Sequence, residues 1–196
     1  MNIKKAIALT GLVAATAGVS PLAFAQDSGW YIGANVGQST FKDSCSGLPG
    51  GFSCDDSGTA FGVFGGYQVN KYFGAELGYT DLGKTTASGG GASADIKAKG
   101  FELLAVGTFP INEQFSVYGK LGLFAWDVDA SASGPGGSFS DSATGTDLTY
   151  ALGVQYNFTK KFGVRAQYQQ YKDAGDDATT GQGDINVISV GVVYKF

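Results

Sequence analysis

The chain has 196 residues, which is the length of one domain, and only 15% of them are charged. An average soluble domain carries about 25% charged residues, so the composition favours strands that have one face against an apolar medium. The absence of histidine excludes hydrolases and acyltransferases that need an imidazole base. The excess of 17 acidic over 13 basic residues argues against nucleic acid as a partner, because nucleic acid selects basic surfaces.

Residues 1–25 have the organisation of a cleaved secretory signal peptide. Lys4 and Lys5 precede an apolar stretch, 6–19, and Ala23-Phe24-Ala25 forms a cleavage site of the A-x-A type. The alternative is a retained membrane anchor, for which the apolar stretch is too short. Cleavage after Ala25 predicts a mature domain, 26–196, with a net charge of (13 − 2) − 17 = −6.

The only two cysteines, Cys45 and Cys54, bracket a short segment rich in glycine. In the oxidising compartment that a signal peptide implies, such a pair predicts a disulfide that closes a loop. The alternatives are a redox pair and a metal site, but a metal site needs more soft ligands than two, and no histidine can complete the set. We therefore expect a disulfide and no metal or cofactor.

After the signal peptide, segments with alternating hydrophobicity are separated by polar segments. Eight are long enough to cross a bilayer as tilted strands, and they comprise residues 29–40, 59–69, 72–82, 97–109, 115–129, 146–158, 162–171 and 184–196.

The connections between these segments alternate in length. Three are tight, at 70–71, 110–114 and 159–161, and four are predicted to be long loops, at 41–58, 83–96, 130–145 and 172–183. Strict alternation is typical of an up-and-down outer-membrane barrel, which has short periplasmic turns and long external loops. The sequence thus predicts an all-β, eight-stranded antiparallel barrel.

Each predicted strand has one face of large apolar side chains and a second face of small or polar ones. In the last strand the apolar face consists of Ile188, Val190, Val192, Tyr194 and Phe196. The opposite faces carry many glycines and five charged residues: Glu76, Glu102, Lys120, Arg165 and Lys195. This pattern predicts an apolar exterior against lipid and a narrow polar interior. Closure follows because lipid offers the backbone no hydrogen-bond partner.

Four stretches of the sequence resemble the OmpA-like transmembrane domain family. They are GWYIGANVG (29–37), GYQVNKYFGAELGYTDLGK (66–84), GVQYNFTKKFGVRAQYQQY (153–171) and the terminal ISVGVVYKF. The resemblance implies a barrel in the outer membrane of a Gram-negative bacterium. It also implies that the assembly machinery reads the last strand through its alternate apolar residues and the final Phe196.

The resemblance extends in part to the family's interior salt-bridge gate. It places an inward glutamate at Glu76, an inward arginine at Arg165 and a further base at Lys120. The family's inward lysine of the fourth strand corresponds to Val106, and its sixth-strand glutamate corresponds to Gln155. We also expect this chain to lack the periplasmic peptidoglycan-binding domain of the longer family members.

Three functional hypotheses follow. The first is a structural outer-membrane protein that supports envelope integrity, contacts lipid and lipopolysaccharide, and binds host or surface ligands through its loops. The second is a narrow pore in which the five interior charges form a gate rather than a plug of ion pairs. The third is a lipid-modifying enzyme, which the absence of histidine disfavours.

Overall fold

The computed structural model describes residues 28–42, 53–89, 92–135, 137–176 and 181–196. The predicted signal peptide and Cys45 of the predicted disulfide lie outside these residues, so both stay predictions. Among the described residues, no helix is long and apolar enough to cross a membrane.

The described residues form nine β-strands. Their bounds are β1 Gly29–Phe41, β2 Ser53–Asp55, β3 Ser57–Gln68, β4 Phe73–Gly89, β5 Ala92–Pro110, β6 Phe115–Gly134, β7 Gly137–Asn157, β8 Phe162–Asp176 and β9 Gly181–Lys195. All strands except the three-residue β2 belong to the barrel wall.

The eight wall strands form a closed ring in which each strand pairs with its neighbours in the sequence. All pairs are antiparallel, and β9 returns to pair with β1 from Tyr31–Lys195 to Phe41–Ile185. The predicted eight-stranded up-and-down barrel is therefore confirmed.

The three tight turns share one capping chemistry at the end of the barrel where the chain terminates. The side-chain oxygens of Asn70 and Asn112 each accept two backbone N–H bonds from residues two and three positions later, at 2.8–3.0 Å. The Thr159 hydroxyl accepts the equivalent pair at 3.2 and 3.0 Å. Short polar side chains favour tight turns by this bonding to the backbone that follows them.

At the opposite end, the predicted long loops 83–96 and 130–145 are wrong as loops. β4 continues to Gly89 and β5 begins at Ala92, while β6 continues to Gly134 and β7 begins at Gly137. The pairing between β6 and β7 has no break from Phe115–Tyr156 to Gly134–Gly137. Ser, Thr, Ala and Gly at these positions suit a loop by composition, but continuous pairing with a neighbouring strand holds them extended.

One bulge and one short strand shape this extended sheet. The register of β4 with β5 shifts between Asp81 and Lys84. Gly83 there has a φ of 77° and donates its N–H to an Asp81 carboxylate oxygen at 2.8 Å. Just beyond, β2 pairs with β4 over Thr86–Ser88, and the Thr85 hydroxyl donates to the Asp55 carbonyl.

The predicted outward apolar face is confirmed by solvent exposure. Ile188, Val190 and Val192 are 59–68% exposed, whereas their inward neighbours Val187 and Val193 are 4% and 1% exposed. An outer face of this kind requires an apolar surrounding, because monomeric soluble proteins rarely expose a large continuous apolar surface.

The inward glycine Gly122 lies close to the neighbouring strand, and we predict that Gly122→Ala destabilises the barrel. An added Cβ would lie 2.0 Å from the Leu103 carbonyl oxygen, so the wall would have to shift at a cost of about 1–3 kcal/mol. Urea unfolding in detergent micelles, followed by tryptophan fluorescence, measures this loss. Gly119→Ala is the control, because its Cβ would have 3.7 Å to its nearest neighbour, the Ala151 carbonyl oxygen; equal losses in both variants would contradict the prediction.

Candidate functional site

The centre of the barrel interior holds a buried ion triad of Glu76, Lys120 and Arg165. One Glu76 oxygen accepts a bond from Lys120 Nζ at 2.5 Å, and the other accepts from Arg165 Nη1 at 2.6 Å. The three side chains come from β4, β6 and β8 and are 1%, 2% and 8% exposed. The triad therefore links three strands across the interior.

The arginine of the triad is enclosed by aromatic rings as well as by hydrogen-bond acceptors. Its guanidinium carbon lies 5.0–5.2 Å from the ring centroids of Tyr31, Tyr118 and Phe64. Its Nε donates to Gln155 Oε1 at 2.6 Å. Ring faces and an amide oxygen stabilise a cation without a second carboxylate, which suits a triad of two bases and one acid.

A second polar layer surrounds Glu102, farther toward the extended sheet. One of its oxygens accepts from the Thr80 and Tyr171 hydroxyls at 2.5 and 2.6 Å, and the other accepts from Gln169 Nε2 at 2.9 Å. The residue is 5% exposed. Three neutral donors thus replace the water that this carboxylate loses on burial.

Between the two layers the interior contains almost no free space. The cavity there has a volume of about 10 Å³ and is bordered by both glutamates and by Lys120. That volume is roughly the room needed for one water molecule. The polar interior is therefore packed rather than open.

Beyond Glu102 the interior becomes apolar, and here the prediction of a polar interior throughout is wrong. A buried cluster fills this half of the barrel, and we call it the apolar plug; its members are Phe41, Ala60, Leu82, Ala98, Phe124, Trp126, Val128, Tyr171, Ala174, Ile185 and Val187. Leu82 is 0% exposed and Phe124 is 1% exposed. The rings of Phe124 and Tyr171 lie 4.6 Å apart between centroids. An eight-stranded barrel has room for side chains only, and apolar ones need no partners.

The five predicted interior charges therefore occupy three places. Glu76, Lys120 and Arg165 are in contact, while Glu102 lies one layer away. Lys195 is half-buried near the end of β9, where its backbone pairs with Tyr31 of β1.

Neutral side chains also hydrogen-bond to these charged residues and complete the network. They are Tyr31, Thr80, Gln155, Gln169 and Tyr171. The signal for them is strand parity, because each lies on the inward face of its strand. Their hydrogen-bond partners lie up to 69 residues away in the sequence, as for Tyr171 and Glu102. Parity therefore identifies these residues as inward-facing, but no local pattern identifies which partner each one meets.

At the external end of β9, the Asp184 side chain stabilises a second β-bulge. Its carboxylate accepts bonds from Lys172 Nζ at 2.6 Å and from Gln170 Nε2 at 2.8 Å. Partial burial opposes ionisation, but the Lys172 ammonium and the Asp173 N–H together hold the pKa of Asp184 below its usual range. Asp173 has a φ of 51°, and the register of β8 with β9 shifts there. The contact fixes the bulged course of β8.

The described residues contain no group of three or more cysteines and acids placed to hold a metal ion.

We predict that Glu76→Gln destabilises the barrel more than Glu102→Gln does. The first change leaves Lys120 and Arg165 buried without their carboxylate, which costs about 3–5 kcal/mol. The second change keeps neutral partners for a neutral amide, and costs about 1–3 kcal/mol. Urea unfolding of both variants in the same micelles compares them, and an equal or reversed order would contradict the proposed importance of the triad.

A family model described as the OmpA-like transmembrane domain matches residues 25–196. Outer membrane protein A of Shigella flexneri is 37% identical over 195 residues, which are 98% of this chain and 56% of that protein. Outer membrane protein A of Salmonella typhi is 37% identical over 200 residues, 98% of this chain and 55% of that protein. The chain thus spans about half the length of the curated relatives it matches.

Solved structures share the fold at lower identity. Ail, the attachment invasion locus protein of Yersinia pestis, superposes with a TM-score of 0.60 at 24% identity, covering 87% of this chain and 99% of Ail. Neisserial surface protein A superposes with a TM-score of 0.59 at 21% identity, covering 86% and 99%. The closed apolar-faced barrel and the family match agree: the chain belongs to the OmpA-like transmembrane domain family and is a barrel of the Gram-negative outer membrane.

Proposed function

We propose that this protein is a structural outer-membrane barrel that does not conduct ions and that presents a rigid β-sheet at the cell surface. The observation that carries the proposal is the filling of the interior at successive levels by the ion triad, the Glu102 layer and the apolar plug. A filled barrel contributes to envelope integrity by its presence in the bilayer, and it leaves surface contacts to its external end. We assign it no catalytic role.

The outward face supports two further partners. Its apolar side chains, such as Ile188 and Leu152 at 68% and 64% exposure, suit outer-membrane lipid, including the acyl chains of lipopolysaccharide. On β9 the alternate residues Ile188, Val190, Val192, Tyr194 and Phe196 all lie on this face. That array supports recognition of the last strand by the barrel-assembly machinery, as the family resemblance implies.

The competing function is a narrow pore gated by the ion triad. Its support is the contact of Glu76 with two cations in the barrel interior. Opening that contact alone would not produce a continuous aqueous path, because Leu82, Phe124 and Trp126 of the apolar plug remain beyond it. The packing of these side chains favours the structural function.

Planar-bilayer recording distinguishes the structural function from the narrow pore. We expect the wild-type barrel and Glu76→Gln to be silent, because the apolar plug blocks ions in both. We expect discrete conductance only when Glu76→Gln is combined with Leu82→Ser and Phe124→Ser, which open and hydrate the plug.

Each sample must first show a heat-modifiable band in a detergent gel, so that silence reports a folded barrel. Leu82→Ser with Phe124→Ser and an intact Glu76 is the matched control, and it should stay silent because the triad still closes the interior. Discrete channels in the wild-type protein that change with Glu76→Gln would overturn the structural function and establish the pore.

A separate prediction concerns assembly. Phe196 is 71% exposed and stacks edge-on against Tyr194 with ring centroids 5.1 Å apart. If the machinery reads this ring, Phe196→Ser lowers the amount of barrel in outer-membrane fractions several-fold, whereas Phe139→Ser, at an equally exposed aromatic far from the terminus, does not. Quantitative immunoblotting of membrane fractions measures both, and similar amounts of the two variants would refute a role for Phe196.

A further inference from the structure

The extended sheet at the external end has two edges, and among the residues that the structure describes only one of these edges is covered. β4, β5, β6 and β7 continue together beyond the barrel wall. On the β4 side, the chain's own β2 adds a short strand at Thr86–Ser88. On the β7 side, pairing with β8 reaches no farther than Thr149–Tyr171. β7 begins at Gly137, so residues 137–148 pair with β6 on one side only within the described part of the chain.

The edge of β7 is open because β8 turns away from it. β8 pairs with β9 up to Tyr171, bulges at Lys172 and Asp173, and pairs with β9 again from Ala174. Its pairing with β7 does not resume after this bulge within the described residues. The Asp184 contacts with Lys172 and Gln170 hold this course. The separation of β8 from β7 is therefore built into the fold by specific contacts.

Strand parity shows which backbone groups face the opening. The Asn157 N–H bonds to the Gln114 carbonyl on the β6 side, and the β6–β7 register is continuous. Backbone groups of an antiparallel strand alternate between its two neighbours. The N–H and C=O groups of even-numbered residues, from Ser138 to Thr146, thus point to the open side. Among these N–H groups, that of Ser142 already donates to the neighbouring Asp141 carboxylate at 2.8 Å.

This edge lacks several of the devices that usually block strand addition, and the one it has, the inward charges of Asp141 and Asp147, opposes an added strand that brings no basic side chains. Residues 137–148 contain neither proline nor lysine, and their register has no bulge, whereas protected edges carry such features. The even-numbered side chains from Ser138 to Thr146 are serines and threonines and are exposed. A row of unpaired backbone groups on an extended strand is a template for one further strand.

The side chains beside the edge indicate the partner's charge. Asp141 and Asp147 lie on the inward face of β7, six residues apart, which is roughly 20 Å along the strand. The Asp147 carboxylate accepts from Trp126 Nε1 at 2.6 Å, and that of Asp141 accepts from the Ser142 N–H at 2.8 Å. Each carboxylate has further acceptor capacity for a cation on an adjacent strand.

We propose that the open edge of β7, residues 138–147, binds an extended peptide segment of a partner protein as an added antiparallel strand with basic side chains at alternate positions. The antiparallel direction continues the pattern of the whole sheet and is the more stable pairing per residue. The backbone of the edge supplies affinity, and Asp141 and Asp147 select the basic face of the segment. This site is independent of whether the barrel conducts.

The test uses protein purified from outer membranes in detergent and a fluorescent peptide of alternating threonine and lysine, eleven residues long. Two further peptides carry N-methyl groups on the threonine amides only or on the lysine amides only. Strand addition uses one set of amides, so one methylated peptide loses binding while the other retains it. Anisotropy titrations measure all three.

Protein variants give an independent readout. Ser140→Pro with Thr144→Pro removes two N–H groups from the open side and leaves the odd-numbered bonds to β6 in place. Loss of these two hydrogen bonds weakens peptide binding about thirtyfold. Ser140→Ala with Thr144→Ala keeps the backbone groups and should bind like the wild type. A heat-modifiable gel band confirms folding of each variant.

The outcomes separate strand addition from simple charge attraction. Selective loss with one methylated peptide, together with weakening by the two prolines, supports the proposal. Equal binding of all three peptides would show attraction to acidic loops alone and would overturn it. Failure of the unmodified peptide to bind, or wild-type binding by a folded proline variant, would overturn it as well.

Discussion

In the hydrocarbon core of a membrane, a backbone N–H or C=O without a partner costs several kcal/mol. The pairing of β9 with β1 satisfies the last row of such groups in this protein and closes the ring. Closure with eight strands fixes the diameter, and that diameter leaves space for side chains only. The packed interior is therefore a consequence of how the backbone bonds are satisfied.

Within that narrow space, the two halves are filled by different means. The ion triad compensates its own desolvation through short contacts between Glu76, Lys120 and Arg165, and such buried sets contribute little net stability over apolar packing. The apolar plug achieves the same filling mainly with apolar side chains, and its two polar groups, the Tyr171 hydroxyl and Trp126 Nε1, donate to Glu102 and Asp147. The triad instead fixes which strands face each other across the interior, because its two ion pairs join β4 to β6 and β4 to β8.

Much of the fold could be predicted from the sequence. Alternation places Ile188 outward and Glu76 inward, and Asn70, Asn112 and Thr159 mark the tight turns; all of these are local signals. The extension of β4–β7 could not be predicted, because segments such as 130–145 have the composition of loops and become strands only through their neighbours. The apolar plug was missed for a related reason: its members Ile185 and Val187 are as apolar as the outward Ile188 and Val190, so parity alone does not show that this part of the interior is mainly apolar.

The same limit applies to the candidate site. Inward parity identifies Glu76, Glu102, Lys120 and Arg165 as interior charges, but it does not distinguish the triad from the Glu102 layer. Which acid meets which base depends on the stagger of strands that are 44 or 89 residues apart in the sequence. That stagger is a property of the closed ring and has no local signature.

The height of the extended sheet has a consequence for recognition by other cells and molecules. Eleven residues of β6 separate the outward Leu123 from Gly134 at the tip, a path of about 36 Å at roughly 3.3 Å per residue. Carbohydrate attached to outer-leaflet lipids forms a layer that shields short loops from antibodies and phages. A hydrogen-bonded stalk of this length carries its tip outward without any need for the loop to become ordered, so a large molecule that approaches from outside the cell reaches the tip before the stalk.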